Sequence, residues 1–230
     1  MSLRRKLVVA AMIGPLWLSG RAVLAADDQE TVLRKLDVAA ANFHSTTAEF
    51  TFDTEQINPV PDSEIQKGTV DYERKGTAFK MAAHIREVNG KPVPKDLTYA
   101  GGKVMLFDRL ANEVYVKNAA KYEGYLLLGF GASGKELADK WAIKYLGPET
   151  LDGVKTEKLE LVAKDPDVLK LFPKVTVWVD PEKAVSLKVI FDEGQGATRT
   201  CTYSHIKINQ PLPGDAFTLK TDSKTQFKNQ

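Results

Sequence analysis

A change in hydrophobic period near the N-terminus constrains the fold more than any other feature of this sequence. From about residue 31 to residue 43, apolar residues recur at steps of three and four, which is the pattern of an amphipathic helix. From Phe50 onward the period becomes two, because apolar and polar residues alternate over residues 50–55 and again over residues 69–74. This alternation predicts half-buried antiparallel strands behind a single helix.

The alternation continues along most of the chain. Turn-forming glycine, proline and asparagine residues separate further strand-like segments at residues 77–85, 97–100, 103–108, 113–117, 155–162, 174–179, 185–191 and 198–209, with a last short strand expected around Phe217. An apolar, then glycine-rich stretch over residues 125–134 and a short amphipathic helix over residues 135–141 interrupt the series. We therefore predict a mainly β (α+β) fold, with one strongly curved antiparallel sheet of about 10–11 strands and two or three helices.

The first 25 residues are typical of a signal peptide. A basic start at residues 4–6 precedes an apolar run over residues 7–18, which is too short and too broken to span a bilayer comfortably. Val23 and Ala25 provide the small side chains that a signal peptidase requires, so we expect cleavage before Ala26. Residues 26–230 are then expected to form a single domain of an exported protein.

Removal of this leader changes the charge of the chain. The full sequence has a formal charge of +2, and the leader carries four basic residues and no acidic one, so the mature protein has a formal charge of −2. A nucleic-acid partner is not expected at this charge. The single cysteine, Cys201, lies far from the cleavage region, so the acylated cysteine of a bacterial lipoprotein is missing there. We expect a soluble monomer.

Few residues suggest chemistry. His44, His84 and His205 are scattered without metal-ligand spacing, and Cys201, which has no partner for an internal disulfide, is expected to be a small buried strand residue. Asp180 precedes Pro181, a pair that forms hairpin turns more often than catalytic sites. We therefore predict no catalytic residue, no metal and no cofactor.

A glycine motif between the predicted strands partly matches the sequence of a phosphate-binding loop. Gly129, Gly131 and Gly134 match G-x-G-x-x-G, and Lys135 follows them. The hydroxyl that would hold magnesium is replaced by Glu136, and the antiparallel pattern lacks the parallel β-α-β context that such loops require. We interpret the motif as a flexible loop before the next helix.

Arg74 is the strongest polar candidate. It shares strand parity with Val70 and Tyr72, whereas Asp71 and Glu73 point to the other face, so Arg74 is predicted to face the apolar side of the sheet. Two interpretations remain open. The guanidinium either extends past the strand end into solvent or donates hydrogen bonds to backbone carbonyls of an element that covers the sheet.

Large apolar side chains with the same parity define a candidate lipid site. Most such stripes are simply a core, but a large curved sheet covered by a few short helices can leave an unfilled apolar concavity, which suits a lipid. With Arg74 at its edge, the predicted lipid-binding set comprises Phe50, Phe52, Val70, Tyr72, Arg74, Phe79, Met81, Val104 and Leu106.

The order of these features resembles the periplasmic outer-membrane lipoprotein carrier family, LolA. The similarity covers nearly all of the mature chain and lies in the N-terminal helix, the strand pairs at residues 48–52 and 68–81, the segment at residues 100–107, Leu-Leu-Leu-Gly-Phe at residues 126–130 with its helix, and Val-Trp-Val-Asp-Pro at residues 177–181 with Phe217. No single piece is specific, but their order together with a signal peptide is fairly specific.

The resemblance implies an incomplete antiparallel β-barrel whose helices form a lid over a hydrophobic cavity for acyl chains. It implies a non-enzymatic carrier of triacylated lipoproteins, which it would receive from an inner-membrane Lol-type ABC transporter and deliver to an outer-membrane acceptor. Arg74 aligns with the family arginine that holds the lid closed, but Lys75 stands where a proline usually follows. Two alternatives stay open, namely a carrier or sensor of another envelope lipid such as a glycolipid, and a hydrolase with a site around Asp180 or His205.

Overall fold

A computed structural model describes residues 20–126 and 128–229 of the chain. The predicted signal peptide lies outside the described residues, except for residues 20–25. Their backbone forms the start of the first helix, which therefore runs across the predicted cleavage site. Among the described helices, none is both long and apolar enough to cross a membrane.

The described chain contains four α-helices and twelve strands. In chain order these are α1 (Gly20–Ala41), β1 (Ser45–Gln56), β2 (Asp62–Lys75), β3 (Ala78–Val88), β4 (Lys91–Ala100), β5 (Lys103–Asp108), β6 (Glu113–Asn118), a 3-10 turn (Ala120–Tyr122), α2 (Glu123–Leu126), α3 (Gly134–Lys140), β7 (Trp141–Leu151), β8 (Val154–Ala163), α4 (Pro166–Leu171), β9 (Lys174–Asp180), β10 (Val185–Gly194), β11 (Ala197–Ile208) and β12 (Gln226–Asn229).

All twelve strands belong to one open sheet. Its order is β12-β6-β5-β4-β3-β2-β1-β11-β10-β9-β8-β7, and every neighbouring pair is antiparallel except β12 and β6, which are parallel. Strands β1 to β6 form a meander, and β7 and β12 are the two unjoined edges. The predicted fold class, an incomplete antiparallel β-barrel with few helices, is confirmed.

Two strands differ from the sequence prediction. Strand β7 was not predicted, because a register shift between Tyr145 and Gly147, with Gly147 at φ +103°, breaks the two-residue alternation. The last strand is not around Phe217, which lies in a turn; it is β12, whose four residues are too few to show a period. The predicted helix at residues 135–141 is α3, and it ends one residue earlier than expected.

The helices cover the concave face in two areas. Helix α1 packs its Val32 and Leu36 onto β8, β9 and β10, in a core that also holds Leu128 and Leu137. The second core lies over β1 to β4 and is centred on Phe130, from the stretch between α2 and α3. We call residues 120–126 and 128–140 the lid, because their side chains pack into both cores and so cross the concave face between them.

Candidate functional site

The structure brings most of the predicted lipid-binding residues together under the lid. Phe50, Val70, Tyr72, Phe79 and Met81 are buried in one cluster, and Phe52 and Val104 pack against it. Arg74 lies at the edge of this cluster and contacts the lid. Leu106 shares the face by register, opposite Leu97, but it is not part of the cluster.

The space that these residues surround is filled by the lid itself. Phe130 is 1% exposed, and its ring centroid lies 4.7 Å from that of Tyr72 and 4.8 Å from that of Tyr203. A neighbouring gap lined by Leu36 and Leu128 measures only about 10 Å³, about the minimum for one water molecule. This gap has no room for an acyl chain while Phe130 is in place.

Backbone and hydroxyl groups of the sheet hold the lid in place. Phe130 forms a single antiparallel bridge with Val185. On either side of it, Ser186 N donates to Gly129 O and Gly131 N donates to Ala184 O, both at 2.8 Å. This short pairing continues the sheet onto the lid without making the lid a full strand.

Two side-chain hydroxyls on the concave face also bond to the lid backbone. Ser186 Oγ donates to Leu128 O at 2.6 Å, and Tyr72 OH donates to Leu126 O at 3.3 Å. Tyr99, which is fully buried, donates its hydroxyl to the Glu123 carboxylate of α2 at 2.5 Å. The lid is therefore attached by polar bonds along its length, in addition to the burial of Phe130.

Arg74 joins the end of β2 to the far end of the lid. Its guanidinium donates to Gly131 O at 2.5 Å and to both carboxylate oxygens of Glu136, while Nε donates to Gly76 O at 3.0 Å. The side chain is 13% exposed. Of the two interpretations left open by the sequence, the one in which Arg74 bonds a carbonyl of the covering element is confirmed. The next residue, Lys75, is exposed.

Glu136 is held by two groups at once. Ser133 is the N-cap of α3, and its backbone N–H and hydroxyl both contact Oε2 of Glu136 at 3.0 Å. This capping box fixes the carboxylate facing Arg74. Burial by itself would raise the pKa of Glu136, but the hydrogen bonds from Arg74 and the Ser133 backbone outweigh it and lower that pKa below its ordinary value of 4.5.

The lowered pKa of Glu136 predicts how lid attachment depends on pH. A carboxylate with a depressed folded-state pKa stabilises the fold above the ordinary value and loses that contribution as pH falls through the folded value. We expect the wild type to exceed Glu136→Gln in thermal stability by a constant margin between pH 7 and pH 5.5, and by a shrinking margin below pH 4.5. Thermal unfolding of both proteins over this pH range measures the margin. An equal margin at pH 7 and pH 3 would contradict a lowered pKa of Glu136 in the folded protein.

The glycine motif has a structural explanation. A Cβ on Gly131, which has φ +73°, would lie 2.6 Å from the Phe43 ring, and a Cβ on Gly134 would lie 2.2 Å from the carbonyl oxygen of Leu33. Lys135 N donates to Asp37 Oδ1 at 2.9 Å. The glycines thus allow the lid to approach α1 closely.

Gly134→Ala is expected to displace the lid from α1. The new methyl group would meet backbone atoms of Leu33, which no side-chain rotation can move. We expect a destabilisation of about 1–3 kcal/mol, visible as a Tm lower by several degrees. Gly214→Ala, which meets open space, is the matched control and should leave Tm unchanged. A Tm for Gly134→Ala equal to that control would show that the close approach is not required.

The remaining sequence candidates lie elsewhere. Burial raises the pKa of the Cys201 thiol to about 12, so the thiol stays protonated. Asp180 Oδ1 accepts from Glu182 N at 3.1 Å within its hairpin turn. His205 is exposed on β11, beside Glu49. Within the described ranges, no three His, Cys, Asp or Glu side chains are grouped as metal ligands.

Several lid contacts were missed at the level of sequence. The spacing Ser133-x-x-Glu136 is a readable capping box, but nothing in it points to Arg74. Ser186 is a small polar residue within a strand, and such a residue carries no distinguishing pattern. The position of the Phe130 ring could not be predicted, because an aperiodic apolar stretch gives no information on where its side chains pack.

Comparison by sequence gives little. No family model matches the chain. Over 120 residues it is 31% identical to an uncharacterized protein of Methanocaldococcus jannaschii, a match that covers 51% of this chain and 32% of that protein. The chain therefore spans about a third of the length of the curated relative that it matches.

Comparison by structure is more informative. A conserved uncharacterized protein from Thermus thermophilus aligns over 88% of this chain and 99% of its own, with a TM-score of 0.56 and 11% identity. MucB aligns over 88% of this chain and 66% of its own, with a TM-score of 0.52 and 12% identity. A LolA superfamily protein from Nitrosomonas europaea aligns over 83% and 97%, with a TM-score of 0.40 and 16% identity. At these identities the first two comparisons show a shared fold and nothing further.

Proposed function

We propose that this protein is a periplasmic carrier that binds the acyl chains of lipoproteins released from the inner membrane and transports them to the outer membrane. It is exported by a cleaved signal peptide, and it is not an enzyme. Its partners are triacylated lipoproteins, a Lol-type ABC transporter as donor and an outer-membrane acceptor. The observation that carries the proposal is a concave apolar face covered by a lid that non-covalent contacts attach to the sheet.

The physical requirement for such a carrier supports the proposal. Each buried methylene group contributes about 0.8 kcal/mol, so exposing one long acyl chain to water costs on the order of 10 kcal/mol. A cavity must shield the chain, yet it must also release it, and very tight binding would make release slow. A lid that competes with the cargo for one apolar surface meets both requirements.

The lid of this protein has the features of such a competitor. Phe130 and Leu128 cover the apolar surface, so that surface is not left exposed to water. The contacts that hold the lid are non-covalent and therefore reversible; they include one β-bridge, the Ser186, Tyr72 and Tyr99 hydroxyls, and the Arg74–Glu136 pair. An acyl chain that replaces Phe130 would restore the lost apolar contacts and thereby stabilise the open lid.

The test uses spheroplasts that contain a newly made triacylated lipoprotein and an active donor transporter. We expect the purified mature protein to bring this lipoprotein into the soluble fraction as a one-to-one complex. Absence of release while the transporter is active would reject lipoprotein as the cargo. In that case a glycolipid or another envelope lipid, identified by mass spectrometry of the purified protein, would replace it on the same fold.

A further inference from the structure

Two hydroxyls on the concave face donate hydrogen bonds to backbone carbonyls of the lid. Ser186 Oγ donates to Leu128 O, and Tyr72 OH donates to Leu126 O. The two residues whose carbonyls accept these bonds, Leu126 and Leu128, are two positions apart on the lid. A Cβ on Gly129 would lie 3.4 Å from the Tyr72 hydroxyl and 3.1 Å from the Tyr203 hydroxyl. The glycine between the two leucines therefore lets the lid backbone lie close to these hydroxyls.

When the lid moves away, Ser186 loses its acceptor, and Tyr72 loses the Leu126 carbonyl and keeps only the neighbouring Tyr203 hydroxyl. Tyr72 is 5% exposed and Ser186 is 3% exposed, and both lie among apolar side chains. A buried donor without an acceptor is costly, and a plain hydrocarbon chain offers no acceptor. A cargo that also carries carbonyl oxygens would replace both the apolar contacts and the hydrogen bonds of the lid.

A third hydroxyl on this face has no partner with the lid in place. Thr46 is fully buried, and its Oγ1 has no hydrogen-bond partner among the described residues. It stands directly opposite Tyr72 in the pairing of β1 with β2, so the two side chains share the concave face. An orphaned buried hydroxyl beside Tyr72 points to an acceptor that the protein itself does not supply.

We propose that Tyr72, Ser186 and Thr46 recognise carbonyl oxygens of the cargo, so that the site selects ester- or amide-linked acyl chains over ether-linked or purely hydrocarbon lipids. This inference rests on the proposed function and specifies the chemistry of the same site. In the closed structure the lid occupies the place proposed for the cargo. It presents apolar side chains and the carbonyls of Leu126 and Leu128 to the same surface.

The test compares dipalmitoylglycerol with dihexadecylglycerol, its ether analogue without the two carbonyls. Binding of each lipid to the purified mature protein is measured by displacement of an environment-sensitive fluorophore. One neutral hydrogen bond corresponds to roughly a fivefold change in affinity, so the wild type should prefer the ester by about fivefold to twenty-fivefold. Tyr72→Phe, Ser186→Ala and Thr46→Val together should reduce this preference to about one.

Two further variants separate recognition from general effects on stability. Tyr145→Phe removes a hydroxyl that bonds to Glu157 and not to the lid, so it should keep the ester preference. Thr46→Val should raise the Tm of the empty protein, because it removes an unsatisfied donor, and should lower the ester preference.

The outcomes distinguish this inference from the proposed function. Equal binding of both lipids by the wild type would overturn carbonyl recognition while leaving a lipid carrier in place. An ester preference that survives in this triple variant would overturn the assignment to these residues. Failure of both lipids to bind would overturn the proposed function, and the inference with it.

Discussion

Phe130→Ala is expected to lower the free energy of unfolding by about 3–5 kcal/mol, as is typical for removal of a buried phenylalanine side chain. The ring is 1% exposed and packs against Tyr72 and Tyr203. If an acyl chain must displace this ring, the variant should also bind acyl lipid more tightly, by roughly tenfold or more. Chemical denaturation and equilibrium lipid binding measure the two effects.

The matched control for this variant is Phe107→Ala. Phe107 is 5% exposed and stands opposite Asp96 and Val114, on the other face of the sheet from Phe130. It should lose a comparable amount of stability without any gain in lipid affinity. If Phe130→Ala destabilises the protein but binds lipid no more tightly than the Phe107 variant, the lid does not compete with the cargo for this surface.

Arg74→Leu is expected to bias the lid open. The substitution removes the donors to Gly131 O and to the Glu136 carboxylate. Hydrogen bonds to charged groups contribute about 1.5–3 kcal/mol when desolvated, and the 31% exposure of the Glu136 side chain reduces this. We expect closure to weaken by about 1–3 kcal/mol, so that the variant binds acyl lipid roughly fivefold to a hundredfold more tightly and releases it more slowly to acceptor vesicles.

A double-mutant cycle assigns this effect to the pair. Arg74→Lys keeps the charge but loses the paired donors of the guanidinium, so its affinity for acyl lipid should fall between those of the wild type and Arg74→Leu. Adding Glu136→Gln to Arg74→Leu should change lipid affinity less than Glu136→Gln does alone, since the two side chains share one contact. Unchanged loading and release in Arg74→Leu would contradict a role for Arg74 in holding the lid.

The strand alternation predicted the concave face well, because a two-residue period fixes which side chains share a face. Val70, Tyr72 and Arg74 are on one face of β2, as their parity required. The same parity marked Arg74 as a residue facing a covering element, and it bonds to Gly131. Strand β7 was missed where Gly147 forms a bulge, since a bulge shifts the alternation by one residue.

The filled interior could not be predicted from local pattern. Phe130 pairs with Val185, 55 positions further along the chain, and that contact depends on how the sheet curves. An aperiodic segment with three glycines specifies neither a helix nor a strand, so its path is set by the surfaces that it meets. Glycines in such a segment indicate a close approach of the backbone to something. The structure is needed to show that the neighbours are the Phe43 ring and the Leu33 backbone.

The most direct test of the account is to locate a bound acyl chain. A palmitoyl ester with a photoreactive group midway along its chain is loaded onto the mature protein, crosslinked, and mapped by peptide mass spectrometry. The account predicts adducts on concave-face strands, in peptides that contain Phe50, Tyr72 or Met81. Adducts confined to the groove of about 690 Å³ beside α1, which is lined by Val38 and Ile208, would contradict the claim that cargo replaces the lid.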